Sequence, residues 1–149
     1  MNYMSPQMKS LIYGKATNYD SVIFLACNEI SDLLEDLNSM GIIASAIDYD
    51  PKFENKKYYE CKDFIFDEVK LDADLIVHLN CEKTFMFETD GDVLLVGDNK
   101  KHNGDCKSIE SSEQLIEQYK LKEVYEKGNW SERATFLNGI SHFWVHGRM

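Results

Sequence analysis

Glycine is missing where a phosphate would need it: between Gly14 and Gly41 the chain has none. Dinucleotides require glycines in the turn after a first strand, so that backbone N–H groups can approach the pyrophosphate, and NAD or FAD held in the standard way is not expected. Proline is scarce, with 2 residues, and the composition carries no disorder signature. None of the cysteines Cys27, Cys61, Cys81 and Cys106 forms a C-x-x-C pair, so neither disulfides nor a standard zinc site is expected. Basic residues are few, 16 against 26 acidic ones, and the net charge of −10 repels phosphate backbones; nucleic acid is an unsuitable partner. No apolar run approaches the ~20 residues a bilayer span needs. Met1 to Lys9 lacks a basic-then-apolar leader pattern, so a cytoplasmic protein without membrane contact is expected.

What is present suits one α/β domain over residues 1–149, with 44% of residues apolar. Ser5 to Tyr13 reads as a short amphipathic helix ended by Gly14. Ser21 to Cys27 is a nearly continuous apolar run, as in a strand buried on both faces. Ser31 to Met40 carries Leu33, Leu34 and Leu37 at helical spacing, with Gly41 as cap. Ile42 to Ile47 reads as a second buried strand, and the three pieces make a βαβ unit. Phe53 to Tyr59 is polar and irregular. Further strands are expected at Asp63 to Val69, Ala73 to Leu79 and Asp92 to Gly97, and a helix at Ser111 to Tyr119. Lys122 to Lys127 and Ser141 to His146, joined by a loop without a helix, should pair antiparallel. The fold class is therefore Rossmann-like: a three-layer sandwich with a mostly parallel sheet, a C-terminal antiparallel hairpin and a reduced helical coat.

Ligands of such sheets bind outside the strand carboxyl ends. Asp48, closing the second strand, is placed to accept hydrogen bonds from both hydroxyls of a ribose. The bland alternative is a turn-forming Asp ahead of Asp50-Pro51. S-adenosylmethionine has no phosphate and makes a milder demand on the first turn, where Ala26-Cys27-Asn28 is at least small and tight.

The element order resembles the class I S-adenosylmethionine-dependent methyltransferases, whose sheet ends in an antiparallel hairpin. Ala46-Ile47-Asp48-Tyr49-Asp50-Pro51 looks like their second-strand acidic motif, Ala73 to Glu82 like their fourth strand and substrate loop, and Gly91 to Asp98 like their fifth strand. The C-terminal part is also similar to small methyltransferase-like proteins of marine bacteria and their phages. The resemblance implies an S-adenosylmethionine site with Asp48 and Tyr49 at the ribose, Ala26, Cys27, Asn28 and Glu29 along the methionine end, and Asp63 and Phe64 beside the adenine. It departs from the family in the first motif, where Phe24 to Glu29 replaces the glycines, and in its short or absent helices after strands two and three.

Methyl transfer is an in-line displacement in which the protein aligns the acceptor and sometimes removes its proton. Asn80 and Glu82 are the candidate catalytic residues, Glu82 as base; the alternative is a solvated acid paired with Lys83. His102 among Lys100, Lys101 and Asn103 reads as a surface histidine, and His78 as a core or sheet-face residue rather than a ligand. His142 and His146 share one strand face. Trp130, Arg133 and Phe136 form a lid, a hairpin tip or a dimer contact. The acceptor is a small molecule or a protein, and self-association is expected where the thin coat leaves an apolar face open. The competing class is a catalytically degenerate Rossmann-like binding or assembly module.

Overall fold

The computed structural model describes residues 4–25, 29–62, 70–81, 87–100, 108–131 and 139–149. Its strands are β1 (Ser21–Leu25), β2 (Ile43–Asp48), β3 (Tyr59–Cys61), β4 (Lys70–Leu71), β5 (Leu75–His78), β6 (Glu88–Thr89), β7 (Asp92–Asp98), β8 (Glu123–Ser131) and β9 (Ser141–Arg148). Seven of them form one sheet in the order β3-β2-β1-β5-β7-β9-β8, while β4 and β6 pair separately. All neighbours from β3 to β7 are parallel; β9 runs antiparallel to both β7 and β8.

The central strands are apolar at successive positions because both faces of the sheet are covered. Val22, Phe24, Leu75, Val77, Leu94 and Val96 pack on one side with Ile12 and Ala16 of helix α1 (Pro6–Ala16) and Leu33, Leu34 and Leu37 of helix α2 (Ser31–Ser39). Leu25, Ile76, Val93 and Leu95 pack on the other with Leu115 of helix α3 (Ser112–Gln118). Among the described residues, two helices on one face and one on the other make the three layers.

Helix ends follow from local chemistry. The Ser5 hydroxyl accepts the Met8 N–H at 3.2 Å, with Pro6 in the first turn of α1. Gly41, at φ +85°, lets Ile42 N–H reach Leu37 O and Gly41 N–H reach Asn38 O, a Schellman stop for α2. Ser111 caps α3 by accepting from Gln114 N–H.

Four expectations need correction. Helix α1 does not stop at Gly14 but continues to Ala16, because Ala16 is buried against the sheet. The third strand lies at Tyr59–Cys61, in and just past the segment that looked irregular, while 63–69 fall outside the described residues. The second strand is not buried throughout: Ile43 is 72% exposed, on the sheet face away from α2, where Ile47 is the β2 residue that joins the core. Trp130 is not in a loop, since β8 runs on to Ser131.

The hairpin is fastened to the amino-terminal edge of the sheet by Asp92. Its carboxylate accepts the Tyr19 hydroxyl at 2.7 Å and the Tyr125 hydroxyl at 2.9 Å. With the Tyr19 proton given to Asp92, the phenol oxygen accepts from His146 Nε2, 2.7 Å away. Burial first, and then Lys15, lower the His146 pKa below its ordinary 6.5, against the opposing pull of Asp92 and Glu126. An unfolded chain protonates this histidine near pH ~6.5 while the folded one does not, so stability is fully present above that value and falls as pH drops through it. Urea unfolding at about pH 7.5 and about pH 5.5 should show a smaller acid loss in His146→Gln than in the parent. The lowered carboxylates Glu29, Glu113 and Glu126 start from 4.5 and lose their contribution only further down. An equal acid loss in parent and variant would refute the assignment.

Candidate functional site at the strand carboxyl ends

The carboxyl ends of β2, β1, β5 and β7 lie side by side along one edge, carrying Asp48, the approach to Glu29, Asn80 and Asp98 in that order. Asp48 is 2% exposed. Its Oδ1 accepts the Asp50 N–H at 3.1 Å, and its carbonyl accepts the Lys62 N–H at 2.9 Å, which binds the end of β2 to the residue after β3. Asp50 in turn accepts from Lys52 N–H and starts the short 3₁₀ turn Pro51–Phe53. The turn-forming role is thus present, and it holds a buried carboxylate at the end of β2. Tyr49 beside it is 52% exposed.

The amino end of α2 is closed by the protein's own oxygens. Glu29 Oε1 accepts the Ser31 N–H at 2.9 Å, and the same carboxylate pairs with Lys56. The hydrogen bond from Lys56, then that from Ser31, lowers the Glu29 pKa from 4.5 to about 2. The Ile30 N–H donates to the Tyr59 hydroxyl at 2.7 Å, and the Tyr59 ring lies parallel to Phe53 with centroids 4.6 Å apart. A helix amino terminus attracts anions, and here a carboxylate occupies that position. A phosphate would meet the engaged Ile30 and Ser31 N–H groups and a fixed negative charge, which agrees with the glycine-free turn. A cofactor without phosphate, presenting a ribose diol to Asp48, fits these residues.

On the other side of β1, the turn after β5 is anchored by buried residues flanking Asn80. Cys81 donates its N–H to Val96 O at 2.9 Å and its thiol to His78 O at 3.4 Å. Gly97 makes room for this: a Cβ there would collide with Ile109 and press on the Cys81 side chain. At the end of β7, Asp98 faces His142 with Nε2 and Oδ2 4.0 Å apart, and the His142 ring stacks on Trp130 at 4.7 Å. Sequence reasoning did not find this Asp98–His142–Trp130 group. Its signal is visible only through register, since Asp98 pairs with His142 and His142 with Trp130. Nor did it find Lys56 and Tyr59, which reach the site from the segment that looked irregular.

Of the residues expected at the site, Glu29, Asp48, Tyr49 and Asn80 are therefore placed along this edge. Ala26, Cys27, Asn28, Asp63, Phe64 and Glu82 lie outside the described residues, as do His102, Cys106, Arg133 and Phe136. Among the described residues no three His, Cys, Asp or Glu side chains are grouped to hold a metal, and no helix is long and apolar enough to cross a membrane. An open groove of about 610 Å³ lies elsewhere, between α1 and the hairpin, lined by Leu11, Lys15, Glu126 and Trp144 among others. Its charges Lys15 and Glu126 are paired with each other, and it is not at the strand carboxyl ends.

A parallel sheet with this strand order, closed by an antiparallel hairpin, is the class I S-adenosylmethionine-dependent methyltransferase fold. Solved structures similar to the chain include the N-methyltransferase NodS from Bradyrhizobium japonicum WM9, with a TM-score of 0.62, 9% identity and coverage of 96% of each chain. The 1,6-didemethyltoxoflavin-N1-methyltransferase of Burkholderia thailandensis, solved with its namesake ligand and S-adenosylhomocysteine, gives a TM-score of 0.63 and 8% identity, covering 97% of this chain and 78% of that one. A TehB-like S-adenosylmethionine-dependent methyltransferase from Corynebacterium glutamicum gives 0.59 and 14% identity, over 94% and 85%. At such identities the likeness is one of fold. No protein-family model and no curated protein matches the chain significantly.

Proposed function

We propose that the chain binds S-adenosylmethionine across the carboxyl ends of β1 and β2 and transfers its methyl group to a small molecule or a protein. The observation that carries this reading is the buried acid Asp48 at the end of β2 in a sheet of methyltransferase order. The cofactor, when bound, supplies an electrophilic methyl group on a sulfonium. Asp48 holds the ribose hydroxyls, with Tyr49 beside it. Glu29, kept ionised by Lys56, closes the amino end of α2 against phosphate. Asn80, held between two buried neighbours, orients the acceptor, and Glu82 takes its proton. The negative surface favours a neutral or cationic acceptor over a nucleic acid.

A second reading, a binding module that has lost catalysis, is supported by the same closed turn at α2 and the absence of glycine between Gly14 and Gly41. Calorimetric titration separates the readings. Methyl transfer requires S-adenosylhomocysteine to bind with a Kd well below millimolar and NAD not to bind. No heat from S-adenosylhomocysteine at millimolar concentration would leave the binding-module reading in its place.

A further inference from the structure

His78 is the one ionisable side chain in an otherwise apolar strand, fully buried at the last position of β5. Leu75, Ile76 and Val77 before it are buried as well, so hydrophobicity alone would put a leucine or phenylalanine here. Its ring lies edge-on to Phe87, with centroids 6.3 Å apart, and to Tyr119, the residue that follows α3, at 6.1 Å. Those contacts would be served equally by a phenyl ring. Among what a phenyl ring lacks is the acceptor Nδ1, which takes the backbone N–H of Asn80 at 3.4 Å.

We infer that His78 is a positioning residue: its Nδ1 holds the backbone of Asn80, so that the Asn80 side chain is presented at the carboxyl edge in one orientation. The inference rests on the reading above for what Asn80 faces, an acceptor of methyl groups. The geometry itself does not depend on it. The turn Leu79–Cys81 is tied to β7 through Cys81 N–H and Val96 O, and back to β5 through the Cys81 thiol and His78 O. Neither tie restrains Asn80 directly. The bond to His78 Nδ1 does, and it demands a neutral imidazole with its proton on Nε2, because Nδ1 must offer a lone pair. Misplacement of a substrate-orienting group by about 1 Å can cost ~100-fold in rate, which is the reason to fix this backbone.

Three measurements test this. In the parent protein, the imidazole nitrogens of His78 read by ¹⁵N NMR should show an unprotonated Nδ1 and a protonated Nε2; a proton on Nδ1 would overturn the assignment, whatever the variants do. His78→Phe keeps the ring packing and removes the acceptor, so hydrogen exchange at the Asn80 amide should speed up about tenfold or more relative to Val77, as for a lost hydrogen bond worth ~1.4 kcal/mol. His78→Asn, whose Oδ1 can replace Nδ1, should restore most of that protection, whereas a merely space-filling role would leave Asn the worse of the two. Affinity for S-adenosylhomocysteine should stay within about threefold in both variants, since His78 acts on the acceptor side. If the parent does not bind S-adenosylhomocysteine at all, the methyl-transfer reading fails while the exchange and NMR results still decide the role of His78.

Discussion

Asp48→Ala is expected to weaken S-adenosylhomocysteine binding about thirtyfold or more, the ~2 kcal/mol of hydrogen bonds lost to a charged acceptor. The alanine also removes the bond to the Asp50 N–H, and with it one tie of the turn that follows β2. Asp48→Asn separates the two effects. An amide oxygen can still accept from Asp50, but the carboxylate charge and its second acceptor are gone, so an intermediate loss of about tenfold is expected. Thermal unfolding should place Asp48→Asn close to the parent and Asp48→Ala lower. Affinity unchanged in both variants would remove Asp48 from the ribose and return it to a turn-forming role alone.

Much of the fold was legible because parallel strands covered on both faces leave a simple signature. Val22 to Leu25, Leu75 to Val77 and Val93 to Val96 are uninterrupted apolar runs, and each is a central strand. The hairpin was legible because the sequence between its strands carries no helical pattern. Edges were harder. β3 has three residues, Tyr59 to Cys61, and only three register partners on β2, too little burial to write a hydrophobic pattern. Ile43 looks in sequence like Ile47, yet one is solvent-exposed and the other packs into the core beside Leu25. The difference is made by what packs on that face of the sheet at each end of β2, which no local window contains.

The site divides in the same way. The position of Asp48 at the carboxyl edge was readable, because it is the polar residue that closes a buried strand. Asn80 was readable on the same ground. Lys56, Tyr59 and His142 were not, since each reaches its partner across a long stretch of chain: Lys56 to Glu29, Tyr59 to Ile30, His142 to Asp98. Such pairs exist only once the sheet has assembled. The lack of glycine before α2 was visible from the outset. The Glu29 bond to the Ser31 N–H is local, while the Lys56 ammonium that pairs with the same carboxylate arrives only with the tertiary fold.

Phe24→Ala should be the most damaging of the substitutions considered, at about 3–5 kcal/mol. Phe24 is fully buried on β1, between Ala46 of β2 and Val77 of β5. Helix α2 lays Leu34 and Leu37 into the same cluster. The small side chains Ala44 and Ala46 on the adjacent strand are what leave room for the phenyl ring, and neither can expand to fill the void after truncation. Sheet backbones on both sides, held by ladder hydrogen bonds, also resist collapse, so most of the cavity should persist. At roughly 2–4 °C per kcal/mol for a chain of this size, the melting temperature should fall by about 10 °C. Ile43→Ala on the neighbouring strand removes a comparable apolar side chain from a position exposed to solvent, and its cost should stay within about 0.5 kcal/mol. Urea titration of the two variants decides the matter, with equal m-values confirming that only the native packing has changed. Similar midpoints for Phe24→Ala and Ile43→Ala would mean that β1 is not the centre of the core and that the strand order itself is wrong.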